Sequence, residues 1–436
     1  MKDEARTSDV NGLESEGRNA DVMEAAEAAK AANGGSGGSR DVGAGLRRVP
    51  ELEPVPLPES DPELVARLRA EIERDGPMTF ARFMELALYD PERGYYTRRD
   101  APDRGPGRTG DFLTAPESHP IFGEVIARHL DAVWATLGRP ARFVLREHGA
   151  GSGALAAGIL GGLRRSGSPL GGAIRYQPIE ASPARLEALG LRLAAEGLEA
   201  PLEPATDQPE AGAILANELL DALPVHRVEG GPDGELLERF VRLGAGGAFE
   251  EAPGEASRPA LAERLEAEGI RLEPGQVAEV CLALDGWVAR AAAPLERGEL
   301  LLIDYGHPAD ELYRPDRGST LRAYHRHRVH ADPFVAIGRQ DLTAHVDLTA
   351  LQRAATAAGL GPLGRTTQAR FLADLGVGEL LVARQAEAST TLQSYLDAKS
   401  ALVRMLDPRA TGGFAVMAFG RGLPSGAPLR GFGPAR

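Results

Sequence analysis

The sequence predicts an α/β protein with a doubly wound, mainly parallel sheet. Three observations carry this. From Phe143 onward, short apolar runs alternate with amphipathic helical stretches. The first apolar run passes into a glycine turn, "EHGAGSGA", and then directly into a helix. The chain has 436 residues, 43% hydrophobic and 26% charged, which is enough for a large core between two helical layers.

The elements follow in order. Residues 1–58 read as an acidic tail with a Gly/Ser linker, "AANGGSGGSRDVGAG", too poor in apolar residues to offset the entropy of ordering. Asp61 before Pro62-Glu63 is an N-cap signal, and Leu64, Leu68 and Ile72 make one helical stripe. Gly76-Pro77 ends that helix. Thr79 caps a second one, carrying Phe80, Phe83, Met84 and Ala87. The stretch "TRRDAPDRGPGRTGDFLTAPESHPIFGEV" reads as a long Gly/Pro-rich loop, a type that is often functional. These parts make up an N-terminal region, 59–142.

The main region, 143–425, opens with the strand "RFVLRE" and the helix "GALAAGILGGLRR". "IRYQPIEA" is the next strand and "SPARLEALGLRLAAEG" the next helix. "GAILANE" and "GELLLIDYG" are further strands, the latter after the helix "CLALDGWVARAAAPLE". Two insertions interrupt the alternation, at about 225–275 and 307–345. The first contains a β-hairpin around "GGPDGE"; the second is rich in histidine. "DLTALQRAATAAGL" is a helix capped by Asp347, and "TGGFAVMAFGRG" is a last strand. Residues 426–436 read as a flexible tail.

A strand entering glycines and then a helix makes an anion or nucleotide site. Glycine lets a ligand approach the backbone, and the helix start offers unpaired N–H groups. Gly149, Gly151 and Gly153 stand at alternate positions, and the turn also fits the loose dinucleotide pattern. Two acids bear on the choice of ligand. Glu147 lies two residues before the first glycine, where a carboxylate opposes a pyrophosphate but suits an ammonium or a sulfonium. A dinucleotide site expects a ribose-binding acid roughly 20 residues beyond the motif. No Asp or Glu lies between Gly153 and Glu180, and Glu180 ends the next strand, where it can take both ribose hydroxyls. These acids favour S-adenosylmethionine over NAD.

The second constellation is "AILANELLDALPV". Its apolar run ends in Asn217 and Glu218, with Asp221 following. Groups at the carboxyl ends of central strands face the ligand crevice of a doubly wound sheet. An acid pair there suits a guanidinium or ammonium acceptor, which carboxylates orient and deprotonate. The same residues also resemble a helix N-cap with first-turn acids.

Other features exclude function classes. The chain carries 49 Lys and Arg against 63 Asp and Glu, a formal charge of -14, which argues against a nucleic-acid scaffold. One cysteine, Cys281, excludes an intrachain disulfide and reads as apolar filler. No apolar run is long enough to span a membrane. The acidic N-terminus resembles neither a secretory signal nor an Arg-rich transit peptide, so a cytoplasmic location is expected. "AYHRHRVHAD" places His325 and His327 on one face of a strand, with His330 nearby. Interleaved Arg322, Arg326 and Arg328 oppose a cation, so no metal is expected. His307 ends a strand, facing either the cleft or the core.

Taken in order, "GPMTFARFMELALYDPERGYY", "GDFLTAPESHPIFGE", "EHGAGSG", "IEASP", "ANELLDALPV", "LLIDYGH" and "DLTAHVDLTAL" resemble the MidA-like family of class I S-adenosylmethionine-dependent methyltransferases, over roughly residues 60–420. The resemblance implies a Rossmann-like methyltransferase sheet with an N-terminal helical segment and inserted subdomains. It implies that Glu147, Gly149, Gly151 and Gly153 line the methionine part of S-adenosyl-L-methionine, with Glu180 at the ribose. It implies that Asp111, Thr114 and Glu117 belong to a loop closing over the site. Family members often carry Arg where this chain has Ser152, and an acid where it has Gly158. Mitochondrial members are complex I assembly factors that methylate an arginine of a complex I subunit, so a protein substrate is expected, and by analogy a respiratory-complex subunit.

The function expected is methyl transfer to a protein side-chain nitrogen, arginine first, with Asn217, Glu218 and Asp221 at the acceptor. The alternatives are a cofactor-binding assembly protein with little turnover and an NAD-dependent oxidoreductase. The sequence does not fix an oligomeric state.

Overall fold

The structure, a computed structural model, describes residues 57–98, 114–326, 328–387, 391–423 and 429–433. The expected tail up to residue 56 lies outside these. At the centre is a six-stranded sheet. Its strands are β1 (Phe143–His148), β2 (Ile174–Ile179), β3 (Glu210–Asn217), β4 (Leu295–Asp304), β5 (Gly361–Thr367) and β6 (Ala415–Arg421). Their spatial order is β5-β6-β4-β3-β1-β2. Strands β1 to β4 are mutually parallel, and β6 enters antiparallel between β4 and β5. The strand order reverses at β1, so the crevice lies at the carboxyl ends of β1 and β3.

Side-chain alternation makes the three layers. On β3, Ala213 and Leu215 face one core, while Ile214 and Ala216 face the other. The first core is covered by α3 (Ile121–Thr136) and α4 (Ala154–Ser166). The second is covered by α6 (Ala283–Ala292) and α7 (Leu348–Ala357). Between them in sequence, α5 (Pro183–Ala195) follows β2 and is capped by Ser182, which accepts from the Arg185 N–H.

Helices α3 and α4 cross closely. A Cβ on Gly158 would sit 2.9 Å from the Gly123 Cα, and one on Gly162 2.9 Å from the Glu124 Cα. Glycine at 158 is therefore a packing requirement here, and an acid at that position needs the helices farther apart.

The N-terminal helices form where the sequence places them. In α1 (Pro62–Asp75), the Asp61 carboxylate accepts from Glu63 N and Leu64 N, and Leu64, Leu68 and Ile72 are buried. In α2 (Phe80–Tyr89), Thr79 accepts from Arg82 N. Both helices pack on the inserted segments: Leu64, Phe80, Phe83 and Met84 share a core with Val241, Leu321 and Leu342.

The expected hairpin is present as His226–Gly230 and Leu236–Leu243, antiparallel with Val228 opposite Glu238. It belongs to a larger five-stranded sheet that includes Met78–Thr79, Phe249–Glu255 and Val277–Val280. Asp347 caps α7 as expected, through Thr349 N and Ala350 N.

Four segments differ from the sequence reading. Ile121–Thr136 is a helix, although its start lay in the stretch read as loop, because Pro120 and Gly123 mask the pattern. Helices Gln368–Asp374, Val377–Ala386 and Leu392–Leu406 follow β5, in a region where no element is expected from the sequence pattern. The expected flexible tail is packed over 429–433: Leu429 is buried, and Phe432 lies against Phe371 and His129. In the histidine-rich insertion, the strand Arg322–His325 ends at His325 and Arg326 turns with φ 45°. His327 itself lies outside the described residues, and His325 Nδ1 is 3.1 Å from the Arg339 carbonyl.

Candidate active site

The glycine turn joins β1 to α4, and all three glycines have positive φ: 69° at Gly149, 54° at Gly151 and 77° at Gly153. Two distinct reasons require them. A Cβ on Gly149 would meet Leu219 Cδ1 at 2.9 Å, and one on Gly153 would meet Leu189 Cγ at 2.7 Å. A Cβ on Gly151 meets nothing closer than the Gly149 carbonyl oxygen at 3.8 Å. Two glycines thus serve packing, and the third faces open space in the crevice. A cavity of about 230 Å³ occupies that crevice, several times the roughly 30 Å³ of one water in the liquid.

The cavity wall contains most of the residues expected from the sequence: Thr114, Glu117, Glu147, Gly149, Gly151, Glu180, Asn217 and Glu218. Glu147 is 3% exposed and accepts a 2.7 Å bond from the Tyr176 hydroxyl. Burial pushes its carboxyl from 4.5 up to about 8, against the lowering effect of that bond. Glu180 accepts from Gly151 N at 2.8 Å and from Ser182 N at 2.9 Å, tying the ends of β1 and β2 together. Each oxygen retains capacity for a second donor. Glu117 accepts from the Ser152 hydroxyl and lies 3.9 Å from Arg192, so the helix Ala115–Ser118 is fastened to the glycine turn. Asp111 lies outside the described residues.

The β3 end divides the acceptor candidates. Asn217 and Glu218 line the cavity; Asp221 does not. Glu218 has φ 51°, rare for a residue with a side chain. Its Oε1 accepts from Asn217 Nδ2 at 3.2 Å and Ala115 N at 3.4 Å. Asn217 Oδ1 is buried without a hydrogen-bond partner among the described residues. Asp221 instead turns inward and accepts from the Tyr305 hydroxyl. Beside it, burial and then the like charge of Asp221 push the Asp304 carboxyl well above its usual range. Sequence spacing placed Asp221 at the acceptor because it counted strand-end residues. A short turn, Leu220–Ala222, rotates it away.

Sequence reasoning missed several wall residues. Tyr89 and Tyr96 stack with centroids 5.6 Å apart. Their hydroxyls donate into the protein, Tyr89 to the Ala222 carbonyl at 3.0 Å and Tyr96 to Asp341 at 2.7 Å. Arg185 lies 5.4 Å from the Tyr96 ring centroid. On the other side, His148 meets Trp287 edge-on at 5.3 Å, and burial, then Arg146, lowers its pKa to about 4. These residues come from segments far apart in sequence, and only the aromatic run "YDPERGYY" signals any of them.

The remaining candidates lie elsewhere. His307 contacts Glu311 and Arg317 and is not in the cavity wall, a structural placement. Cys281 donates to the Pro224 carbonyl, and burial pushes its thiol up to about 11, so it is no nucleophile. Among the described residues, no group of three or more His, Cys, Asp or Glu is placed to hold a metal. No helix among them is long and apolar enough to cross a membrane.

A doubly wound sheet with one antiparallel strand, a glycine turn at its switch point and a strand-end acid opposite define a class I nucleotide-cofactor enzyme. Comparison with known proteins gives the particular family. A model described as "Putative S-adenosyl-L-methionine-dependent methyltransferase" matches residues 125–366. The chain belongs to this family and is an S-adenosyl-L-methionine-dependent methyltransferase. It is 32% identical to the mitochondrial protein arginine methyltransferase NDUFAF7 of Mus musculus, over 72% of this chain and 74% of the mouse protein. It is 30% identical to the mitochondrial homolog of Drosophila melanogaster, over 72% of this chain and 77% of that one. A crystal structure from Burkholderia thailandensis, bound to S-adenosyl-homocysteine, is 35% identical with a TM-score of 0.73, covering 85% of this chain and 96% of that one.

These findings correct the cytoplasmic expectation, since the curated relatives are mitochondrial. The cofactor is S-adenosyl-L-methionine rather than NAD, and the residues present fit it. Gly151 leaves room where a Cβ would intrude, Glu147 is a buried carboxyl without a cation of its own, and Glu180 retains acceptor capacity.

Proposed function

We propose that this chain methylates an arginine side chain of a protein, with the acceptor nitrogen held by Glu218. The observation that carries this reading is Glu218, set by a positive-φ turn in the wall of the cavity that the glycine turn also lines. When bound, the cofactor supplies an activated methyl on a cationic sulfur, so the protein's own task is alignment and proton handling. A guanidinium remains charged at any physiological pH and is a poor nucleophile until it gives up a proton. Glu218 would bind it through charge-assisted hydrogen bonds and accept that proton as the new bond forms. Asn217 Oδ1, buried and without a partner, would take a second N–H of the same group.

On this reading Glu147, Gly149 and Gly151 surround the methionine part and Glu180 meets the ribose, while Thr114 and Glu117 cover the site and Gly153 packs the turn against Leu189. Asp221 is left out of acceptor contact and supports the turn. The names of the relatives favour an arginine acceptor; a respiratory-complex subunit as partner rests on the MidA-like resemblance alone.

Transfer of labelled methyl to proteins of a matched lysate, followed by hydrolysis and separation of methylated amino acids, tests the proposal. The label is expected in methylarginine, with at least a hundredfold loss for Glu218→Gln. Label in methyllysine, or equal labelling by Glu218→Gln, would contradict it.

A further inference from the structure

We infer that Asp304 is the positioning residue for Glu218: its carboxyl group holds the turn that sets Glu218 in the cavity wall. The inference rests on the proposed acceptor role of Glu218.

The argument begins at the ends of β3 and β4. These strands run parallel, and Glu218 N still donates to the Ile303 carbonyl at 2.8 Å. There the ladder stops. Glu218 takes φ 51°, Leu219 follows with φ -123° and ψ -40°, and Leu220–Ala222 forms a single tight turn. The first N–H groups of such a turn have no partner within it.

Asp304, the last residue of β4, supplies one. Its Oδ2 accepts from Leu219 N at 3.1 Å and Leu220 N at 2.8 Å, with Asp221 N at 3.4 Å. Its other oxygen accepts from Tyr305 N at 2.9 Å. One carboxyl thus gathers three consecutive backbone donors immediately after the strained residue. A buried acid beside Asp221 is costly to keep, as like charges repel. Asp304 is only 4% exposed, and these backbone bonds account for its presence there.

The alternative conformation is also clear. Without the anchor, residue 218 relaxes to negative φ, where a glutamate is comfortable, and its side chain leaves the cavity wall. A glycine at 218 removes the strain in either case, because glycine tolerates φ near +50°.

The test is a double-mutant comparison on the full chain, read by thermal unfolding. In the parent background, Glu218→Gly is expected to raise the midpoint by about 2 °C. In the Asp304→Ala background the turn has already relaxed, so the same substitution is expected to add nothing. An equal rise in both backgrounds would overturn the inference. Calorimetry with S-adenosyl-homocysteine provides a second readout. Its affinity is expected to stay within about threefold in Asp304→Ala, and loss of binding would show that Asp304 supports the whole cleft rather than this one residue. Should Asp304→Ala not fold, Asp304→Asn carries the same comparison, since its amide N–H2 must face one of the two donor sets. Lysate labelling separates the two ideas. If Glu218→Gln transfers methyl normally while the thermal coupling persists, the acceptor role fails and the anchoring of Glu218 stands.

Discussion

Glu147 shows what burial does to one side chain. Its carboxyl is raised to about 8, so at pH 7 it is mostly protonated. A raised acid contributes stability that is complete below its ordinary value near 4.5 and is lost as the pH climbs through 8. A cation brought beside it stabilises the ionised form and expels the proton. Affinity for S-adenosylmethionine is therefore predicted to rise between about pH 6 and 8, by up to tenfold per unit, and to level off above. Glu147→Gln should flatten that profile in calorimetry; an unchanged slope would remove Glu147 from the ligand. Gly151→Val gives the steric counterpart. It enters the one part of the turn with free space, and it also strains φ 54°, so cofactor binding should fall at least a hundredfold. At this scale the sequence was legible where chemistry is local. Glu147, the glycines and Glu180 could be read because strand, turn and helix are contiguous. Tyr89 and Tyr96 could not, because the helices that deliver them reach the cleft only by packing on the insertions.

Four helix starts were read correctly where a capping side chain precedes a regular stripe, although Thr367 and Thr391 cap later helices that the pattern did not reveal. Asp61, Thr79, Ser182 and Asp347 all accept backbone N–H groups at the predicted ends. Asp61→Ala is predicted to cost about 1 kcal/mol, read as a lower unfolding midpoint with cofactor affinity unchanged. Helix α3 shows where the reading fails. Its N-cap is Pro120, which has no side-chain acceptor, and it carries Gly123, so its composition resembles the loop before it; His119 accepts the Ile121 N–H instead. That glycine exists because α4 crosses there. Gly158→Asp should force the helices apart and lower the midpoint by several degrees, more than Gly172→Asp, whose Cβ meets nothing within 4 Å. Equal effects would mean that the close approach is not needed for stability.

The whole molecule is a methyltransferase sheet whose cleft is completed by segments outside it. The alternation after Phe143 made the parallel strands legible, whereas the insertions were visible only as interruptions. The five-stranded sheet depends on pairings distant in sequence, such as Met78 with Val241. The C-terminal end is likewise anchored by contacts no local pattern shows. His129 places Nδ1 2.6 Å from the Arg430 carbonyl and Nε2 2.9 Å from Glu299. Burial disfavours the imidazolium, but Glu299 outweighs it and raises the His129 pKa. Removing residues 424–436 is predicted to lower the unfolding midpoint while leaving S-adenosyl-homocysteine affinity intact, because Phe432 and Arg430 lie away from the cavity wall.

The central claim is that one cleft binds S-adenosylmethionine and presents Glu218 to an arginine. The most direct measurement is incorporation of labelled methyl into methylarginine of lysate proteins by the parent and by Glu218→Gln, with S-adenosyl-homocysteine affinity measured on both. The account predicts near-equal affinity and at least a hundredfold less methylarginine from the variant. Equal methylarginine from the two proteins would contradict it.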